Sequence, residues 1–209
     1  LTVNDAFVAR LPSGLQVAET RYTTPAPAGS PRDARLTVPA ADPPPPAPLL
    51  AGATCHLPST QTTGLSYSGT DPQRLLACIA RMQPESLILV PELLQLLVLA
   101  AERGWAPPAT LKFIAVGGAS VSPALLARAT NCGLPVYEGY GLSECASVVC
   151  LNRPGARRPG SVGRPLPHTA LHLTSDGEIV VTGPTMLGYL GVPAPARPGT
   201  WHTGDLGEI

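Results

Sequence analysis

The chain has 209 residues, enough for one domain with a sizeable core. Hydrophobic residues make up 44% and charged residues 13%, and the formal net charge is zero. That balance argues against a nucleic-acid partner or an anionic membrane surface. Five cysteines (Cys55, Cys78, Cys132, Cys145, Cys150), an odd number at unrelated spacings, read as reduced thiols of a cytoplasmic protein rather than a disulfide framework. No signal peptide is visible at the start. The most apolar run, residues 87–101, is too short for a transmembrane segment and contains Pro91 and Glu92. The chain opens on Leu1 and stops at Ile209 just after a motif, so both ends look cut.

Residues 1–48 do not read as a folded unit. Ten of the 26 prolines fall here, including Pro43-Pro44-Pro45-Pro46, and apolar periodicity is poor. Two readings stand side by side: a disordered Pro-rich arm, or an aberrant N-terminus left by truncation, rearrangement or a shifted reading frame. Residues 48–57 read as a buried element, and a Ser/Thr/Gly-rich loop follows over 59–70. Asp71 then caps a helix, with Pro72 at its first position and Leu75, Leu76, Ile79 and Ala80 as an apolar stripe. Leu87-Ile88-Leu89-Val90 reads as a buried strand, and residues 91–101 as a helix ending near Gly104. Residues 111–116 form another strand, ending in Gly117-Gly118-Ala119-Ser120. Ser122 caps the next helix, Pro123 starts it and Gly133 closes it. Pro135-Val136-Tyr137 is a short strand. This rhythm predicts an α/β fold over 49–165, a mostly parallel sheet with covering helices, with ligands at the carboxyl ends of its strands. Over 166–209 the texture is β-rich, with a hairpin around Ser175-Asp176-Gly177.

Two polar segments carry the chemistry: Tyr137-Glu138-Gly139-Tyr140-Gly141-Leu142-Ser143-Glu144 and Trp201-His202-Thr203-Gly204-Asp205-Leu206-Gly207. Each reads as a short loop able to hold part of a nucleotide. Tyr140 can stack on a base, the Ser143 hydroxyl can donate to a phosphate oxygen, and the Glu144 carboxylate suits magnesium. Gly117-Gly118-Ala119-Ser120 lets the backbone approach a ligand closely. The alternative is a tight strand-to-helix turn, and no Gly-x-Gly-x-x-Gly fingerprint is present. Gly141-Leu142-Ser143-Glu144-Cys145 departs from the hydrolase elbow Gly-x-Ser-x-Gly at its last position, and no Asp and His partners follow in that order. Arg153, Arg157, Arg158 and Arg164 read as a solvated loop. His168 and His172 lie on a strand without a third ligand, which rejects zinc. Glu178 reads as shaping the hairpin rather than binding ligand.

The two motifs occur in this order with Gly160-Ser161-Val162-Gly163-Arg164-Pro165 and Gly177-Glu178-Ile179 between them. That combination resembles the acyl-adenylate-forming (AMP-binding) enzymes: acyl-CoA synthetases, fatty-acyl-AMP ligases, luciferases and peptide-synthetase adenylation domains. The resemblance covers residues 85–209. It implies part of the large N-terminal domain of such an enzyme. It also implies activation of a small carboxylic acid by ATP with Mg2+, giving acyl-AMP and then a thioester with CoA or the phosphopantetheine of a carrier protein. Nucleotide-binding roles fall on Gly117, Gly118, Ala119, Ser120, Glu138, Gly139, Tyr140, Gly141 and Ser143. Ser143 and Glu144 are the implied catalytic residues, with Glu144 holding the metal. Asp205 matches the family carboxylate that accepts from both ribose hydroxyls, a task suited to its two acceptor oxygens. By itself Asp205 also reads as an ordinary turn aspartate.

Serine stands at 143 where the family usually has threonine, and the hydroxyl is kept. No proline precedes it, which is similar to the acyl-CoA synthetase branch more than to the peptide synthetases. No aspartate is placed to meet an ammonium group, so the expected acid is fatty, aryl or another plain carboxylic acid. The family's phosphate loop ending in Pro-Lys-Gly has no counterpart here, and its C-terminal lysine-bearing domain is absent. The expectation is a fragment with little or no ligase activity alone, since losing one transition-state charge stabiliser costs on the order of 10²–10³ in rate. The rival reading is a non-catalytic adenylate-binding remnant or pseudogene product.

Overall fold

The computed structural model describes residues 20–22, 35–37, 54–66, 69–189 and 198–209. They fall into two compact units, and the chain passes from one to the other between Val136 and Tyr137. The sequence reading sets its change of texture later, at residue 165.

The first unit contains strands β1 (Thr20–Tyr22), β2 (Arg35–Thr37), β3 (Thr54–Leu57), β4 (Leu65–Ser66), β5 (Gly69–Thr70), β6 (Ser86–Leu89) and β7 (Phe113–Val116). Its helices are α1 (Thr60–Thr63), α2 (Pro72–Met82), α3 (Pro91–Glu102) and α4 (Pro123–Asn131). The main sheet runs β1-β3-β2-β6-β7. Only the β1–β3 pair is antiparallel; β2–β3, β2–β6 and β6–β7 are parallel. Strands β1 and β2 lie in the Pro-rich stretch 1–48. The rest of that stretch, with its reading as an arm or an aberrant leader, lies outside the described residues, as do residues 48–53 of the expected buried element.

Helix starts follow the sequence signals. Asp71 Oδ1 accepts from the Gln73 and Arg74 amides at 3.0 and 3.2 Å, and Pro72 sits where no donor is needed. Ser122 Oγ accepts from the Leu125 amide at 3.2 Å ahead of Pro123. The core gathers Leu75 and Ile79 from α2, Leu94, Leu97 and Val98 from α3, and Leu87, Leu89, Ile114 and Val116 from the strands. Two expectations are corrected. Cys78, not Ala80, completes the buried stripe of α2, because 75, 78 and 79 share one helix face while Ala80 is exposed. Strand β6 buries only one face: Leu87 and Leu89 enter the core, while Ile88 between them points the other way and is exposed.

The second unit holds two antiparallel sheets. One contains β8 (Val136–Leu142), β9 (Ser147–Leu151) and β10 (Arg164–Pro165), in that order. The other contains β11 (Ala170–Leu173), β12 (Glu178–Thr182) and β13 (Thr200–Leu206), also in order. Strands β11 and β12 are the expected hairpin. Cys145, Val149, Cys150 and Val181 are buried together, with Tyr140, Leu142, Ile179 and Trp201 packed against them. A mostly parallel first unit followed by an antiparallel β-rich part matches the expected α/β class. No helix among the described residues is long and apolar enough to cross a membrane.

Both motif segments were expected as loops, and both are mainly strand. Residues 138–142 belong to β8 and residues 201–206 to β13. In β8 the glycines permit the pairing: a Cβ at Gly141 would lie 1.6 Å from the Ser147 carbonyl oxygen. Buried Asn152 closes the loop after β9. Its Nδ2 donates to the carbonyls of Glu138 (3.0 Å) and Ser161 (2.5 Å), and its Oδ1 accepts from the Arg158 amide at 2.9 Å.

Candidate functional site

Within the second unit the two motifs meet. The Tyr140 phenol donates to Asp205 Oδ2 at 2.7 Å. The ring is partly buried against the Cys145–Val149–Cys150–Val181 core, and the carboxylate stands exposed. Burial, then the bond to Asp205, pushes the Tyr140 pKa well above its ordinary value, so the phenol keeps its proton.

Asp205 is aimed by an irregularity in β13. The β12–β13 register shifts between Glu178 and Val180, and Gly204 adopts φ +75. Thr203 Oγ1 donates to the Ile179 carbonyl at 2.8 Å and accepts from the Asp205 amide at 3.1 Å. Glu178 Oε1 accepts from the Gly204 amide at 2.9 Å, and Glu178 Oε2 lies 2.9 Å from His202 Nδ1. The His202 contact first, then the Gly204 amide, holds the Glu178 carboxyl below its ordinary pKa.

Ser143 and Glu144 stand in a 3-10 turn, Ser143–Cys145, at the end of β8. The next two residues, Ala146 (φ +57) and Ser147 (φ +83), are both left-handed. Two consecutive non-glycine residues in that region store backbone strain, a feature that clusters at functional sites. Glu144 Oε1 accepts a short hydrogen bond from the Tyr189 phenol, and the Glu144 carbonyl accepts from the Met186 amide at 2.8 Å. Tyr189 also packs edge-on to Trp201, with ring centroids 6.0 Å apart. The bond to Glu144 raises the Tyr189 pKa. Burial pushes the Cys145 and Cys150 thiols up to about 11, so neither is a ready nucleophile at neutral pH.

Gly117-Gly118-Ala119-Ser120 belongs to the first unit. It follows β7 directly, with Gly118 at φ +81 and residues 118–120 exposed. The other predicted site residues, Glu138, Gly139, Tyr140, Gly141, Ser143, Glu144 and Asp205, all lie in the second unit. Sequence reasoning missed Tyr189 and His202 and gave Glu178 only a structural part. The signal for Glu178 and His202 was present as a Thr-Gly-Asp triplet beside a strand that begins with a glutamate. Tyr189 carries no local signal, being 45 residues from Glu144.

Known proteins resemble this chain in sequence and in fold. The pattern of the AMP-binding enzyme family matches residues 45–190. Long-chain-fatty-acid–CoA ligase 1 of Homo sapiens is 35% identical over 117 residues, spanning 47% of this chain and 17% of the ligase. Feruloyl-CoA synthase of an Amycolatopsis species is 31% identical over 166 residues, spanning 70% of this chain and 33% of the synthase. The chain thus spans a third or less of these relatives. The fold is similar to that of O-succinylbenzoate coenzyme A synthetase (MenE) from Bacillus subtilis in complex with AMP. That match has a TM-score of 0.66 at 23% identity, over 87% of this chain and 40% of the synthetase. With its match covering well over half of the sequence, the chain belongs to the AMP-binding enzyme family.

Proposed function

We propose that this chain holds the adenylate in an acid–thiol ligase that joins a plain carboxylic acid, fatty or aryl, to ATP. The products are acyl-AMP and pyrophosphate, and the acyl group then passes to the thiol of CoA or of a carrier protein's phosphopantetheine. The observation that carries the reading is the Tyr140–Asp205 bond of 2.7 Å. It sets a flat aromatic ring beside a carboxylate, the pair that an adenine and its ribose require. In this reading the Tyr140 ring stacks on adenine, and the Asp205 oxygens accept from the ribose hydroxyls. The Ser143 hydroxyl donates to an α-phosphate oxygen. Glu138, Gly139 and Gly141 carry the backbone that flanks the base, and Gly117, Gly118, Ala119 and Ser120 of the first unit are assigned to nucleotide binding from the family resemblance.

Among the described residues no three His, Cys, Asp or Glu side chains gather as a metal site. A lone Glu144 fits magnesium, which takes one or two protein carboxylates and fills its shell with water and phosphate oxygens. The ion supplies charge neutralisation as pyrophosphate leaves. Tyr189 occupies Oε1, which leaves Oε2 for the ion. Names such as feruloyl-CoA synthase and long-chain-fatty-acid–CoA ligase among the relatives support CoA as acceptor. Cys78, Cys132, Cys145 and Cys150 are free, which supports a cytoplasmic setting. Lys112, the chain's one lysine, pairs with Glu85 at 3.1 Å on an exposed surface of the first unit. That favours little ligase activity from these 209 residues alone.

The test is thermal unfolding with and without a non-hydrolysable acyl-adenylate analogue. A rise in midpoint that disappears in Asp205→Ala supports the site. A cooperative melt that the analogue does not move would sink it. ATP–pyrophosphate exchange then separates an active ligase from a binding remnant.

A further inference from the structure

Strands β12 and β13 do not match residue for residue. Val180 pairs with His202 and Glu178 with Leu206, so Thr203-Gly204-Asp205 stand opposite the single residue Ile179. A bulge of this size leaves backbone amides without ladder partners. Packing does not hold it: a Cβ added at Gly204 would meet nothing within 4 Å. Hydrogen bonds do. Thr203 ties the bulge to the Ile179 carbonyl and to the Asp205 amide. The Glu178 carboxylate grips it on both sides, His202 Nδ1 with one oxygen and the Gly204 amide with the other, each at 2.9 Å. His202 is the last residue before the bulge, and Gly204 is directly bonded to Asp205.

We propose that Glu178 is a positioning residue, whose carboxylate locks the Thr203–Asp205 bulge and so fixes where the Asp205 carboxylate points. The role rests on the reading of Asp205 as the ribose acceptor. The argument is geometric. Asp205 makes its one described side-chain contact through Oδ2, to Tyr140, and Thr203 and Glu178 hold the backbone at Asp205 and Gly204. Without Glu178, glycine at 204 is free to rotate, and the next side chain swings with it. The two bonds that depress the Glu178 pKa also keep the group ionised and acceptor-only at neutral pH.

Ribose discrimination by the purified chain tests this. Calorimetric titration compares AMP with 2′,3′-dideoxy-AMP, which lacks both hydroxyls. The wild-type preference for AMP is expected at roughly tenfold, the worth of one charge-assisted hydrogen bond. Asp205→Ala and Glu178→Ala should both abolish the preference. Glu178→Asp, which keeps the charge but is one methylene too short to span both partners, should reduce it several-fold, and it carries the test if Glu178→Ala does not fold. A folded Glu178→Ala or Glu178→Asp protein, checked by near-UV circular dichroism, that keeps the wild-type ratio overturns the proposal. A wild-type chain without the preference, or an Asp205→Ala chain that retains it, overturns the ribose reading of Asp205 and this role with it. A merely structural part for Glu178 would lower the unfolding midpoint and leave the ratio alone.

Discussion

Tyr140 Oη and Asp205 Oδ2 are 2.7 Å apart, although 65 residues separate them in the chain. The bond ties β8 of one sheet to β13 of the other, over the core where Val181 packs with Cys145 and Cys150. In the proposed function the binding element and this tertiary contact are the same pair of side chains, and substitutions can separate the two roles.

Tyr140→Phe keeps the ring and removes the bond. The expected cost is about 1 kcal/mol in urea denaturation, since the contact is exposed to water, with adenylate-analogue affinity falling by a few-fold. Tyr140→Ala also removes the stacking surface, worth about 1–3 kcal/mol against a base, and the analogue should bind at least tenfold more weakly. Equal affinities for the two variants would mean that the ring does not stack.

Gly141→Ala and Gly204→Ala fail for different reasons and by different amounts. At 141 the new Cβ meets the Ser147 carbonyl oxygen at 1.6 Å, backbone against backbone, so β8 and β9 must part. A loss of more than about 3 kcal/mol is expected, in the range reserved for severe packing defects. At 204 there is open space, and the cost is the φ of +75 alone, roughly 1–2 kcal/mol. Denaturation midpoints rank the two, and the reverse order would contradict the β8–β9 register.

The acid limb of stability carries a Glu178 signature. Its folded pKa is depressed, first by His202 and then by the Gly204 amide. Its contribution is therefore present above the unfolded value of about 4.3 and is lost as pH falls through the folded value. Glu178→Gln should be less stable than wild type at pH 7, and the gap should narrow as pH falls below the unfolded value and through the folded one. Glu102, held down by Arg128, and Asp176, held down by Thr174, titrate in the same direction and remain in both proteins. A gap that stays constant from pH 7 to pH 3 would show that the ionised form is not what Glu178 contributes.

Asn152→Ala removes the tie between β8 and the arginine-bearing loop. The Ser161 carbonyl and the Arg158 amide lose their partner, at a cost of about 1–2 kcal/mol for two part-buried bonds. The loop should then open to trypsin at the Arg157–Arg158 bond, since proline follows Arg153 and Arg158 and blocks cleavage there. Cleavage no faster than in wild type would place the loop's restraint elsewhere.

The first unit was largely legible because its signals are local. Asp71-Pro72 and Ser122-Pro123 announce helix starts within two residues, and an apolar run such as residues 87–90 announces a strand. What the run could not show is that Ile88 faces away from the core, because periodicity is invisible when every position is apolar. The second unit hid more. Residues 138–142 look like a loop because alternate positions are glycine, yet those glycines are what lets β9 approach. Trp201-His202-Thr203-Gly204-Asp205 looks like a turn because it contains a bulge, and a bulge is defined only by its partner strand. Residues 140, 143, 144 and 205 were singled out from order and spacing. The contact between 140 and 205, the grip of Glu178 and the Tyr189 phenol on Glu144 depend on pairing across the two sheets.

Strand β13 lies at the edge of its sheet, and among the described residues it pairs only with β12. A straight strand there would expose a regular row of amides and carbonyls, a template on which another chain could grow. The amides of Gly204 and Asp205 are turned inward instead, onto Glu178 and Thr203. A passing strand finds the row interrupted at its middle. The same irregularity thus also guards against aggregation, and a variant that straightened β13 would be expected to lose solubility.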